Sequence, residues 1–225
     1  MSTGSGAPYV TEPQRPGWPA RLGPLVVPAG VVRLRPVRLR DGPEWSRLRL
    51  RDREYLERWE PEQPGSWRDR NGLAAWPSQW SGLRRLAKRG ECFPFAITVD
   101  DEFAGQLTIG NVIRAALRSA WIGYWVSSTQ AGGGVATAAV ALATDHAFTA
   151  GGLHRLEATV RPENVASLAV LEKAGYRREG LFLRYLRVQG AWRDHLCYAT
   201  TVEENGEGVV ARLVGSGRAA WPDER

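Results

Sequence analysis

The chain of 225 residues has only two cysteines, Cys92 and Cys197. Both sit in apolar, strand-like text and neither belongs to a CxxC pair, which argues against a disulfide scaffold or a structural zinc site and for buried thiols in a reducing compartment. No set of His, Cys, Asp and Glu has metal-ligand spacing, so no metal is expected. No apolar run approaches the roughly 18 residues of a membrane span. The opening MSTGSGAPYVTEPQRPG lacks the basic-then-apolar pattern of a leader, so a soluble, cytoplasmic protein without a membrane partner is expected. Internal repeats are missing. Two nucleotide-binding signatures are missing as well. The segment Gly175–Gly180 is followed by Leu181 and Phe182 where a P-loop needs Lys and Ser or Thr, and Gly132, Gly134 and Thr137 do not complete a GxGxxG fingerprint.

What is present is an ordinary globular composition, 43% hydrophobic and 24% charged, with a net charge of +6. That size and mixture can bury a core without staples. The basic surplus is spread along the chain. It suits a polyanionic cofactor or work near ribosomes as well as nucleic acid, and it does not resemble a dedicated DNA-reading helix. Residues 1–27 and 206–225, aperiodic and rich in small residues, read as flexible tails around a domain at 28–205. Within the domain, 31–41 alternates as a strand, and Asp41 and Pro43 open a helix carrying Trp45, Leu48, Leu56 and Trp59. A second helical stretch, about 67–89, is broken near Pro77. Strands follow at 91–100, 103–113 and 118–128, the first two joined at Asp100–Asp101. A small-residue helix covers 132–148 and a strand 154–162. A helix over 163–175 is closed by Gly175, and two last strands meet at Gln189–Gly190. This order is neither doubly wound nor all-β. It predicts an α/β (α+β) fold with helices on a mixed sheet.

Ala131–Ala136 lies where a strand passes into a helix. Three successive glycines there let the backbone turn left-handed and approach a ligand closely, and the amides of a helix N-terminus favour an anion such as a pyrophosphate. A tight turn with close helix packing uses the same residues equally well.

The run AGGGVATAAV, then HRLEATVRPENVASLAVLEKAGYRREG, then WRDHLCYA, resembles the GNAT acetyltransferases. Together with LERWEP (56–61) it is most similar to their RimJ/RimL branch, which acetylates protein N-termini, notably of ribosomal proteins. The resemblance covers about residues 30–204. It implies a mostly antiparallel sheet of about seven strands, splayed between the fourth and fifth. It implies acetyl-CoA as cofactor, the loop amides of Gly132, Gly133, Gly134, Val135 and Ala136, with Ala131 and Thr137 beside them, holding its pyrophosphate. Trp125 and Val126 on the splayed strand would pair with the pantetheine arm, Asn164 would bond it, and Ser167 would sit near the thioester sulfur. Ala131 stands where the family loop usually has Arg or Gln, so capture by backbone is expected there. Leu186 stands where some relatives carry a strand glutamate.

Acyl transfer needs a neutral amine. An α-amine, with a pKa of about 7.7–8.0, asks less of a base than a lysine near 10.4. The expected groups are Ser167 as proton donor to the departing thiolate, a strand amide around Val126 for the oxyanion, and Glu60 or His195 as base. The acceptor implied is a protein N-terminus, with ribosome association, acted on by a monomer or homodimer. A small amine, or a non-catalytic basic module binding RNA or the ribosome, is the alternative.

Overall fold

In a computed structural model, residues 16–222 are described. Among them, eight strands build one sheet: β1 Leu22–Val27, β2 Gly30–Pro36, β3 Cys92–Val99, β4 Glu102–Ile113, β5 Ser119–Val126, β6 Arg155–Val160, β7 Arg177–Val188 and β8 Ala191–Thr201. Their spatial order is β1-β2-β3-β4-β5-β6-β8-β7. Neighbours pair antiparallel except β5 and β6, which run parallel. Two of the three hairpins with two-residue turns follow from local chemistry. Asp100 and Asp101 (φ 50° and 68°) and Gln189 and Gly190 (φ 48° and 78°) all take positive φ, the two-residue geometry whose twist matches that of the strands.

Helices cover both faces. On one side lie α1 Gly42–Arg51, α2 Arg53–Leu56, α3 Trp67–Asn71 and α4 Trp76–Lys88; on the other lie α5 Val135–Phe148, α6 Val165–Lys173 and α7 Val209–Gly215. β3 is buried along its whole length because it is central and covered on both faces. The larger core joins Phe93, Phe95, Ile97, Leu107 and Ile109 to the alanines of α5, and the smaller one joins Trp45, Leu48 and Trp76 to Ala96 and Phe103. α5 is apolar all round because it runs through the larger core, where its small side chains let the backbone lie close to the sheet.

Several expectations need correction. Residues 22–27, read as tail, form strand β1, whose Leu25 and Val27 are buried against α5; residues 1–15 of that tail lie outside the described residues. Among the described residues the sheet therefore has eight strands, where about seven were expected. The C-terminal stretch is likewise folded. Val209, Val210 and Leu213 of α7 are buried, Asp145 at the end of α5 accepts from the Val209 and Val210 amides, and Ala220 bridges Val26. Residues 223–225 lie outside the described residues. The helical stretch after 67 breaks at 72–75, and Pro77 sits in the first turn of α4, where its missing N–H costs nothing. Asp41 precedes α1 but caps none of its amides; its carboxylate accepts from the Arg38 amide and the Arg35 guanidinium, each at 2.8 Å.

Two regions of the fold stand out. Asp52, buried at the end of α1, accepts from the Ser128 amide at 2.9 Å, the Ser128 hydroxyl at 2.7 Å and Arg51 Nε at 2.8 Å, so α1 is tied to the turn that leaves β5. At the far edge β7 is largely exposed, and its pairing with β8 slips between Phe182 and Leu186, where Arg184 takes φ 49°.

Leu213→Ala is expected to lower stability by about 2–4 kcal/mol in urea denaturation, the cost of a core cavity; a mobile tail would give no change. Desolvation is the largest single influence on the Asp52 carboxyl and raises its pKa, but the hydrogen bonds from Arg51 and Ser128 together outweigh it and hold the group at about 2. Its stabilising contribution is present above the unfolded pKa of about 4 and lost as pH falls towards 2. Asp52→Asn is therefore expected to cost on the order of 1–2 kcal/mol at pH 7, with the difference from wild type narrowing as unfolding is repeated between pH 4 and pH 2.

Candidate active site

β5 and β6 pair only through Ser119, Ala120 and Trp121 with Arg155, Leu156 and Glu157; beyond that they separate. This is the splay expected between the fourth and fifth strands of the shorter count. β5 keeps its partner on the other side, from Gly110–Trp121 to Gly105–Val126. The Ser127 amide donates to Ala104 at 2.8 Å, so by alternation the Val126 amide and carbonyl point away from β4, towards the gap. The gap opens a cleft of about 970 Å³ that crosses the sheet, walled by Gly123–Val126 on one side and Ala158–Arg161 on the other.

Because β5 and β6 are parallel, both leave the sheet at the same end, and the helices after them, α5 and α6, both begin there. The loop into α5 turns through Gly132 and Gly134, at φ 80° and 85°. The amides of Gly132, Gly133, Gly134, Val135, Ala136 and Thr137 donate to no acceptor among the described residues; the first bond of α5 is from Ala138 to Gly134. A row of unused amides at a helix N-terminus is a cradle for a di-anion. Ala131, Gly132, Gly134, Val135, Ala136 and Thr137 line the cleft. Gly133 turns away: its carbonyl accepts from the Ala29 amide at 3.2 Å, and a Cβ there would come within 2.6 Å of the Ala29 methyl. Close packing, one of the two uses open at the sequence level, thus accounts for Gly133, while Gly132 and Gly134 face the cleft.

Asn164 caps α6, its side-chain oxygen accepting from the Ser167 amide at 3.2 Å, and both residues line the cleft. The Ser167 hydroxyl lies 2.9 Å from Tyr124 Oη. Burial pushes the Tyr124 phenol above its ordinary value, so it stays protonated and able to donate. Tyr124 was not singled out by its sequence setting. It is one aromatic in WIGYWV, and its partner lies 43 positions away. Only strand alternation separates it from Trp125, which points to the opposite face.

Trp125 belongs to the other half of the cleft. Its ring lies 5.2 Å from the Arg49 guanidinium, which also meets Trp45 and Trp67. Buried Arg49 ion-pairs with Glu60 at 2.6 Å, and Trp59 sits against the guanidinium groups of Arg58 and Arg161. Glu60 thus lines the cleft with its carboxylate already engaged. His195 is buried on β8 and its Nδ1–H donates to the Arg193 carbonyl at 3.1 Å, which leaves Nε2 with the lone pair. Burial is the main cause that lowers its pKa, so the ring is neutral at pH 7. Glu157 on β6 is paired with Arg155 at 2.7 Å. The cleft therefore unites Ser167, Glu60, His195, Trp125, Val126 and the loop, and adds Tyr124 and Arg49.

The model of the acetyltransferase (GNAT) domain matches residues 32–177. The chain is 59% identical to Mycobacterium smegmatis RimJ in complex with CoA-disulfide, covering 92% of this chain and 100% of that one, with a TM-score of 0.91. It is 27% identical to a ribosomal-protein-S5-alanine acetyltransferase from Vibrio fischeri, over 76% of this chain and 92% of that one, with a TM-score of 0.70. It is also 28% identical over 182 residues to the ribosomal protein uS5-alanine N-acetyltransferase of Escherichia coli (strain K12), over 77% of this chain and 88% of that protein. With a domain match over most of its length and a splayed sheet around a loop of unused amides, the chain belongs to the GNAT acetyltransferase family, on its RimJ/RimL-like side.

Proposed function

We propose that the protein transfers an acetyl group from acetyl-CoA to the N-terminal α-amine of a protein, a ribosomal protein by analogy with its relatives, within a ternary complex. The observation that carries this reading is the continuous cleft, which joins the loop amides, the Tyr124–Ser167 pair and His195 in one cavity. The cofactor supplies the acetyl thioester. The amides of Gly132–Thr137 would hold its pyrophosphate and the free edge of β5 its pantetheine amides, with Asn164 at the same wall.

On the acceptor side His195 is the base. Neutral, with Nε2 unengaged, it can take the proton that the amine sheds as nitrogen bonds to the acyl carbon, directly or through one water. The Val126 amide, aimed into the gap, stabilises the oxyanion. Tyr124, hydrogen-bonded to Ser167, gives a proton to the sulfur as the C–S bond breaks, so the thiol leaves neutral. Glu60 keeps Arg49 charged and in place among the tryptophans, which shapes the acceptor wall; in this scheme it moves no proton. The relatives support a protein acceptor through what their names state of them, an S5 alanine in two cases.

Thiol release from acetyl-CoA, followed with peptides bearing free or blocked N-termini and with small amines, tests the reading. Turnover confined to free α-amine peptides is the expected result, and turnover of small amines alone would overturn it. Tyr124→Phe is expected to lower kcat by about 10²-fold while leaving CoA affinity within a factor of about two. Gly132→Glu places an anion at a sterically open position beside the cradle and is expected to weaken CoA binding at least about tenfold, read by calorimetry; the left-handed φ of 80° there also costs about 1–2 kcal/mol of stability for any side chain.

A further inference from the structure

The residues after 205 fold back onto the cofactor half of the cleft. α7 ends in a left-handed turn: Gly217 takes φ 68°, its amide donates to the Val214 carbonyl at 2.9 Å, and the Arg218 amide reaches back to Leu213 at 3.0 Å. This pair of bonds is a Schellman cap and fixes the direction in which Arg218 leaves the helix. Two residues on, Ala220 and Val26 exchange backbone hydrogen bonds at 2.8 and 2.9 Å. The next residue of β1, Val27, lies where a Cβ on Gly134 would touch it, at 3.2 Å. The bridge therefore seats Arg218 beside the loop of unused amides, and Leu213, Gly217 and Arg218 line the same cleft as that loop.

α6 gives the cleft its direction. Ala166, Ala169, Val170 and Lys173 line it, the spacing of one helix face. The cleft thus runs from Ser167, beside Tyr124, to Lys173 at the helix end, a distance of about 9 Å at the helical rise. The carboxylates lining it, Glu60 and Glu163, stand at the acceptor end, while Lys173 and Arg218 stand at the other. Glu172, next to Lys173, is taken by Tyr198 Oη at 3.0 Å. Neither Lys173 nor Arg218 ion-pairs with an acidic side chain among the described residues. Two exposed cations without carboxylates, beyond a cradle that already accounts for two phosphates, are suited to a third.

We infer that Arg218, with Lys173, binds the 3′-phosphate on the adenosine end of the cofactor, so that the segment after 205 is part of the cofactor site. This rests on the acetyl-CoA reading above, and its test separates the two. Calorimetric titrations compare CoA with 3′-dephospho-CoA for the wild type, Arg218→Ala and Arg218→Ala/Lys173→Ala; both side chains are exposed, so thermal unfolding should not change. The wild type is expected to bind CoA about tenfold more tightly than 3′-dephospho-CoA, with a preference that shrinks at high salt as charge pairing is screened. Arg218→Ala should lose most of that preference and the double variant all of it, each binding 3′-dephospho-CoA like the wild type. Equal wild-type affinity for the two ligands, or a preference that survives in the double variant, would overturn the inference while leaving the acetyl-CoA reading intact. Failure of the wild type to bind either would instead overturn that reading.

Discussion

The separation of β5 from β6 after three paired residues is the constraint on which the rest depends. A parallel pair sends both chains out of the sheet at one end, so the helix after each must start there. If the pair stayed closed, the amides and carbonyls of Tyr124 and Val126 would be bonded to β6 and the two helix starts would abut. Opening it frees one edge of β5, sets the α5 amides and the Asn164-capped start of α6 on the same void, and lets that void cross the sheet. Such an opening costs the sheet backbone bonds along Ile122–Val126, and over that stretch β5 keeps its pairing with β4.

The two halves of the cleft are mechanically joined. Tyr124 and Trp125 are adjacent, yet one reaches α6 and the other the arginine of α1, so any shift of β5 moves both. Asp52 adds a second connection, from the end of α1 to the turn entering the glycine loop. The central charge in the Trp125 half of the cleft is packed rather than solvated: Arg49 lies among three tryptophans and is balanced by Glu60, the arrangement that makes a buried guanidinium tolerable. A carboxylate held in this way serves architecture, whereas His195, with one nitrogen committed to a carbonyl and the other open, is suited to proton movement.

What the sequence made legible was what local chemistry decides. The hairpins at Asp100–Asp101 and Gln189–Gly190, the closure of α6 at Gly175 and the helix after the glycines depend on residues within a few positions of each other. β1 and α7 did not announce themselves. LGPLVV is short and interrupted, VVARLVG makes two turns, and each is ordered by burial against α5, more than sixty positions away for the amides that donate to Asp145. Tyr124 was hidden for a related reason. In a strand with three other large aromatic or aliphatic residues, its role is visible only once Ser167 is brought to it. Gly133 differs again, since the text of three glycines cannot tell which one faces the ligand and which one faces Ala29.

The β7 edge carries a burden of its own. Leu181, Phe182, Leu183 and Tyr185 are all exposed on a strand with one side unpaired, the kind of surface that recruits a second sheet. Arg177, Arg178, Arg184 and Arg187 stud the same strand, and the slip between Phe182 and Leu186 bends it out of the flat register that another strand would need. Part of the chain's basic surplus thus serves colloidal behaviour, keeping an apolar border from templating cross-strand assembly.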